Sequence, residues 1–276
     1  MTTPTPKIAE PRALLASAPV VSAADVLAGE NADVATRVRA LVKRLAALPE
    51  VAMRSAGLVA AIEHASARQA VWIVELLIRG VLERESSYIS VYSGIAFPEL
   101  LPGGIAASHL DAMLAVGRAE GCVAAVQWLL SPQAPRSEAQ VESEALVDAS
   151  LRDVPLGNRR ALARRARGEA LNRLVKDPDF GVIANLLNNP RATEQMVMKV
   201  TSRRPTVSSA LEAVMRSKRW GQRYRVRVSL VKNPYLAQRF AINLLPFLNR
   251  RDVKLVRDDE SLAPTLRLAA QRLLDL

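Results

Sequence analysis

The sequence is poor in the residues that carry most enzyme and metal chemistry: it has two histidines, one cysteine and only 4% aromatics. A lone Cys122 cannot close an internal disulfide or supply a paired-cysteine metal site, and a reducing cytoplasm is the expected setting. The residue lies in EGCVAAVQWLL, an apolar stretch that reads as one buried helix face. No glycine-rich phosphate loop, GxSxG elbow or HExxH pattern occurs. His64, in the helical stretch IEHA, and His109, after the expected N-cap Ser108, read as surface and cap-adjacent residues. Asp177 and Asp179 of KDPDF fit a turn entering a helix N-terminus more simply than a cation site. Glu63 beside His64, and Ser108 with Asp111, are too local for a triad, because catalytic partners converge from different parts of a fold. The expectation is a non-enzymatic protein with no catalytic residue, no metal site, no cofactor and no small-molecule substrate.

Long hydrophobic runs are missing as well. The best candidate, AVWIVELLIRGVL, is broken by Glu75 and Arg79 and falls short of the roughly 20 residues that a bilayer crossing needs. The opening MTTPTPKIAEPRALLASAPVVSAADV has its apolar letters interrupted by prolines and an acid, unlike the charged start and unbroken apolar centre of a secretory leader. Half of the residues are hydrophobic, so with few aromatics the core must be built from Leu, Val, Ile and Ala. That diet, with 12 glycines in 276 residues, leans towards helix.

Positive charge is plentiful but unevenly spread. Residues 151–276 hold 26 Lys and Arg against 11 Asp and Glu, a net +15, whereas residues 1–150 carry a net −4. A field of that sign attracts an acidic protein, nucleic acid or an anionic membrane without distinguishing among them.

Along the chain, residues 1–32 are rich in Ala, Pro, Ser and Thr without a sustained period, which predicts a flexible arm. Amphipathic spacing then begins in VATRVRALVKRLAAL and continues through SAGLVAAIEHA, ARQAVWIVELLIRGVLERE and HLDAMLAVGRAEGCVAAVQWLL. These make a helical domain over 33–130. Within it, Pro98, Pro102, Gly103 and Gly104 mark an apolar, non-helical connector at about 86–107. The polar stretch SPQAPRSEAQVESE is read as a linker over 131–144.

Beyond it the sequence echoes itself. FGVIANLLNNP, from Phe180 to Pro190, overlays YRVRVSLVKNP, from Tyr224 to Pro234, at a shift of 44 residues. Arginine pairs recur at Arg159–Arg160, Arg203–Arg204 and Arg250–Arg251, the last after a slightly longer step. The repeat decides an ambiguity in RWGQRYRVRVSL, whose strict alternation from Arg223 onward has the period of a half-buried strand. Val182, Ile183 and Ala184 are consecutive in the earlier copy and cannot alternate, so both copies are predicted as helices ending near Asn189 and Asn233, ahead of proline. Thr193 is the expected N-cap of the helix that follows the first copy, and NPYLAQRF lacks such a cap. Trp220 and Tyr224 fall on the packed flank. Arg227, opposite the apolar Ile183, is expected to be partly buried and paired with Asp252, Asp258 or Asp259.

The period and the helical pattern over 145–276 resemble the HEAT and armadillo class of α-solenoids. That resemblance implies an all-α fold, with stacked antiparallel helix pairs presenting an interaction surface after an N-terminal helical region. The candidate binding residues are Arg159, Arg160, Arg164, Arg203, Arg204, Arg219, Arg223, Arg225, Arg250 and Arg251, with the repeated pairs forming a ladder at the turns between hairpins. The leading reading is an adaptor or scaffold that takes an acidic protein, such as a signalling or cytoskeletal one, through this basic surface. A second reading starts from architecture and charge, which are similar to the HEAT-like alkylpurine DNA glycosylases. That similarity implies a nucleic-acid-binding helical-repeat protein, DNA-binding or DNA glycosylase-type, though the family's catalytic Asp and Trp pattern has no match in this chain. Membrane attachment is the least favoured.

Overall fold

The computed structural model describes residues 31–97, 104–134 and 146–276; the predicted arm falls almost wholly outside that set, as does most of the predicted linker. Among the described residues the chain is all-α, with fifteen α-helices and no strand. None of these helices is long and apolar enough to cross a membrane.

Six helices form the first half: α1 (Asn31–Ala46), α2 (Val51–His64), α3 (Ala67–Leu82), α4 (Ser86–Tyr92), α5 (Ala107–Ala119) and α6 (Val123–Leu130). The hub is α3, against which all the others pack. It starts at a reciprocal cap in which Ser66 Oγ accepts from the Gln69 amide while Gln69 Oε1 accepts from the Ser66 amide. Its buried Val71, Val74, Leu77, Ile78 and Val81 each contribute on the order of 1.5–3 kcal/mol by leaving water. Glu75 is buried among them, its carboxylate receiving Arg79 Nε at 2.8 Å and the Ala125 amide at 2.9 Å. Desolvation is the larger effect and pushes its pKa up; the Arg79 charge opposes it. Two local expectations change. The N-cap of α5 is Ala106 rather than Ser108, because the helix begins one residue before that serine. Part of the expected non-helical connector is α4, whose buried Tyr88, Val91 and Tyr92 supply an apolar face.

The second half runs through α7 (Leu156–Arg165), α8 (Gly168–Leu174), α9 (Phe180–Asn188), α10 (Glu194–Ser202), α11 (Ser208–Arg216), α12 (Tyr224–Val231), α13 (Gln238–Leu244), α14 (Arg250–Asp258) and α15 (Pro264–Leu274). The alternating stretch is helical, as the repeat required. The period holds three short helices rather than an antiparallel pair, because Gly168 at φ 51 and the Pro-containing turns break the chain more often than a hairpin would. Within a unit the first and third helices touch, α7 with α9, α10 with α12 and α13 with α15.

The repeated Asn-Pro has a specific task. Asn189 Nδ2 donates to the carbonyls of Ala163 (3.0 Å) and Ala166 (3.1 Å) at the end of α7, while its Oδ1 accepts from the Arg191 amide. Asn233 does the same for α10, donating to Thr201 (2.8 Å) and Arg203 (3.1 Å) and accepting from the Tyr235 amide. A helix end leaves carbonyls without intrahelical partners. A buried carboxamide satisfies two of them from the third helix of the same unit.

The halves share one core. Helix α6 packs on α13 and α15, and α3 meets the 3-10 turn Leu245–Phe247. Tyr92 and Phe247 rings lie 5.1 Å apart, Phe97 meets Phe240 edge-on at 5.6 Å, and buried Asn243 Nδ2 donates to Ser131 Oγ at 2.7 Å.

Candidate functional site: basic surface and seam pocket

Most of the predicted binding arginines have work inside the fold. On α7, Arg159 Nε reaches buried Asp177 at 2.8 Å, Arg160 forks onto Asp179 with two bonds of 2.9 Å, and Arg164 Nε meets Asn185 Oδ1 at 2.9 Å. Asp179 also caps α9 by accepting from the Val182 amide, and the Arg160 hydrogen bond holds its carboxyl below the usual carboxylate range. The KDPDF aspartates thus form the expected turn and helix start.

Arg203 donates to the Lys176 and Leu146 carbonyls, Arg204 to Lys232, and Arg250 to Leu274 at the end of α15. Arg223 pairs with Glu194, and the guanidiniums of Arg219 and Arg223 both lie 4.5 Å from the Trp220 ring. The three arginine pairs do not form the expected ladder at hairpin turns. Arg159–Arg160 sit inside α7, Arg203–Arg204 follow α10 and Arg250–Arg251 open α14, because three-helix units of unequal spacing place the same sequence offset at different points of a helix.

Trp220 is buried, its indole N–H donating to the Leu187 carbonyl at 3.0 Å. Tyr224 departs from expectation: at the first position of α12 it is 40% exposed, as is its repeat counterpart Phe180 at the start of α9. Its hydroxyl donates to Asp252 and accepts the Asn249 amide, which joins the first turns of α12 and α14. On those turns Arg225, Arg251 and Lys254 are exposed and make no hydrogen bond or ion pair among the described residues. Leu255, 45% exposed, follows on the same face of α14.

A second feature lies in the seam. A cavity of about 260 Å³ is walled by Val51, Ser93, Ala96 and Phe97 from the first half, and by Met215–Lys218, Gly221, Gln222, Arg227, Leu244 and Phe247 from the second. Gly221 is required here: a Cβ on it would stand 2.2 Å from the Met215 carbonyl oxygen. The Gly221 carbonyl accepts from Arg227 Nε at 3.1 Å, and the Arg227 guanidinium carbon lies 3.8 Å from the Phe247 ring centroid. Arg227 is buried, as expected, but among the described residues no carboxylate pairs with it: Asp252 holds Tyr224, Asp258 holds Arg257 and Asp259 holds Ser261. The aromatic face and a carbonyl stand in for an acid. Burial pushes its pKa down to about 10.

The remaining chemistry-bearing residues are quiet. His64 bonds to the Ala60 carbonyl one turn back, and His109 Nε2 lies 3.0 Å from the Ile62 carbonyl. Cys122 is buried at the start of α6, where burial raises its thiol pKa. Among the described residues no cluster of three or more His, Cys, Asp or Glu could hold a metal ion. Comparison with protein-family models, curated proteins and solved structures returns no match.

Proposed function

We propose that the protein is a non-enzymatic adaptor, built as a short α-solenoid of HEAT-like character over its second half, that takes an acidic segment of a protein partner. The observation that supports this reading is the surface across the first turns of α12 and α14. There Arg225, Arg251 and Lys254, which make no hydrogen bond or ion pair among the described residues, stand beside the exposed apolar groups of Tyr224 and Leu255. Cations mixed with apolar area suit a protein segment carrying acids and a hydrophobic anchor. A duplex, by contrast, is gripped chiefly through its phosphates, and the arginines with the strongest nucleic-acid appearance in the sequence are bound to carboxylates and carbonyls.

The test compares the tagged full chain with a triple charge reversal, Arg225→Glu, Arg251→Glu and Lys254→Glu. An acidic protein retained from native lysate at moderate salt by the first and lost by the second supports the reading. Nucleic acid co-purifying in place of protein, with duplex affinity falling steeply between low and physiological salt, replaces it with the nucleic-acid reading.

A further inference from the structure

Arg227 is a cation without a counter-charge among the described residues. It is 9% exposed, its hydrogen bond to Gly221 occupies Nε alone, and neither Nη atom has an acceptor among the described residues. Leaving a buried charge unpaired is costly, since the effective desolvation penalty is several kcal/mol per ion. The wall it belongs to gives it an aromatic face but no counter-charge: Arg216, itself paired with Glu212 at 3.6 Å, and Lys218 stand at exposed positions, and among the described residues no carboxylate lines the cavity. The other lining is chiefly apolar, from Phe97, Met215, Leu244 and Phe247, the last with its ring centroid 3.8 Å from the guanidinium carbon. Ser93 spends its hydroxyl on the Ile89 carbonyl.

We infer that the seam cavity is a binding site for a small organic anion, a carboxylate or phosphate group carried on a short apolar body. The anionic head pairs with the Arg227 Nη groups, which present a planar fork suited to two parallel hydrogen bonds. The body lies on the Phe97 and Leu244 side, and Lys218 at the exposed rim guides the ligand in. A volume of about 260 Å³ is just below the usual range for small-molecule pockets, about 300–1,000 Å³, so the ligand is compact. Because the walls come from both halves, the bound anion bridges them and stabilises the folded chain in proportion to its occupancy. This site is separate from the α12–α14 surface and adds a small-molecule ligand to the protein partner proposed there.

The probes are sodium hexanoate, which carries head and body; hexanol, which lacks the charge; hexylammonium, which reverses it; and inorganic phosphate, which lacks the body. Calorimetry and thermal unfolding of the full chain should show hexanoate binding with Kd of about 1 mM or tighter. Phosphate should bind more weakly, and hexanol and hexylammonium should be silent. The Nε–H signal of Arg227 in an arginine-labelled sample should shift with hexanoate alone at that affinity. Arg227→Met, which keeps an apolar stem of similar length, should weaken hexanoate at least tenfold while retaining its far-ultraviolet dichroism. Should that variant not fold, Lys218→Ser at the exposed rim should weaken hexanoate two- to fivefold and flatten its dependence on salt. Equal response to hexanoate and hexanol overturns the proposal, as does unchanged hexanoate affinity in both variants. Response only to an acidic peptide also overturns it, since the cavity would then be part of a protein interface.

Discussion

A single side chain decides whether a helix end can be buried. Asn189 and Asn233 each satisfy two carbonyls from inside the core, so Asn189→Ala or Asn233→Ala should lower stability by about 1–3 kcal/mol each, from buried acceptors left without a donor. The aspartate variants should cost more, because they remove the donors and bury a charge; urea unfolding of the four proteins checks the order. Their importance was visible in sequence only as a repeated Asn-Pro, which signals where a helix stops and not what the amide reaches. Arg227 shows the same boundary. Its burial followed from the apolar residue at the matching position, whereas its partner did not, because carbonyls and ring faces leave no charge signature in a sequence.

Among the elements, capping differs between equivalent starts in a way that can be measured. Thr193 accepts the Met196 amide at the head of α10, and its replacement by Ala should cost about 1 kcal/mol. At the head of α13 no side chain of the helix does this; Ser208 Oγ, from the start of α11, instead accepts the Ala237 amide at 3.2 Å. Ser208→Ala should therefore speed hydrogen exchange at Ala237 and the following turn while leaving α10 unchanged. Helix existence was legible throughout the second half because the 44-residue echo overruled local alternation at Tyr224–Val231. The division into three helices per period was not, since each break rests on backbone geometry at turns. The arginine pairs misled for that reason: equal sequence spacing does not give equal positions once helix lengths vary.

For the molecule as a whole, the shared core predicts one cooperative unfolding transition rather than two. Phe240→Ala, which removes the ring packed on Phe97, should lower stability by about 3–5 kcal/mol and shift helical signal from both halves together. Acid should weaken the fold as well. Asp148, Asp179 and Asp259 have carboxyl pKa values held below the ordinary range, first by hydrogen bonds from Ser150, Arg160 and Ser261 respectively. A depressed folded value contributes stability above the unfolded pKa of about 3.9 and loses it as pH falls through the folded one. The denaturant midpoint should drop below about pH 4, and Asp179→Asn should show a shallower fall. The basic half, meanwhile, fastens helix to helix by pointing Arg203, Arg204, Arg219 and Arg250 at main-chain oxygens. Every amino acid carries such an oxygen. The position opposite each of these arginines can therefore change its side chain without losing the bond, and sequences descended from this one can drift there with no paired substitution to betray the contact.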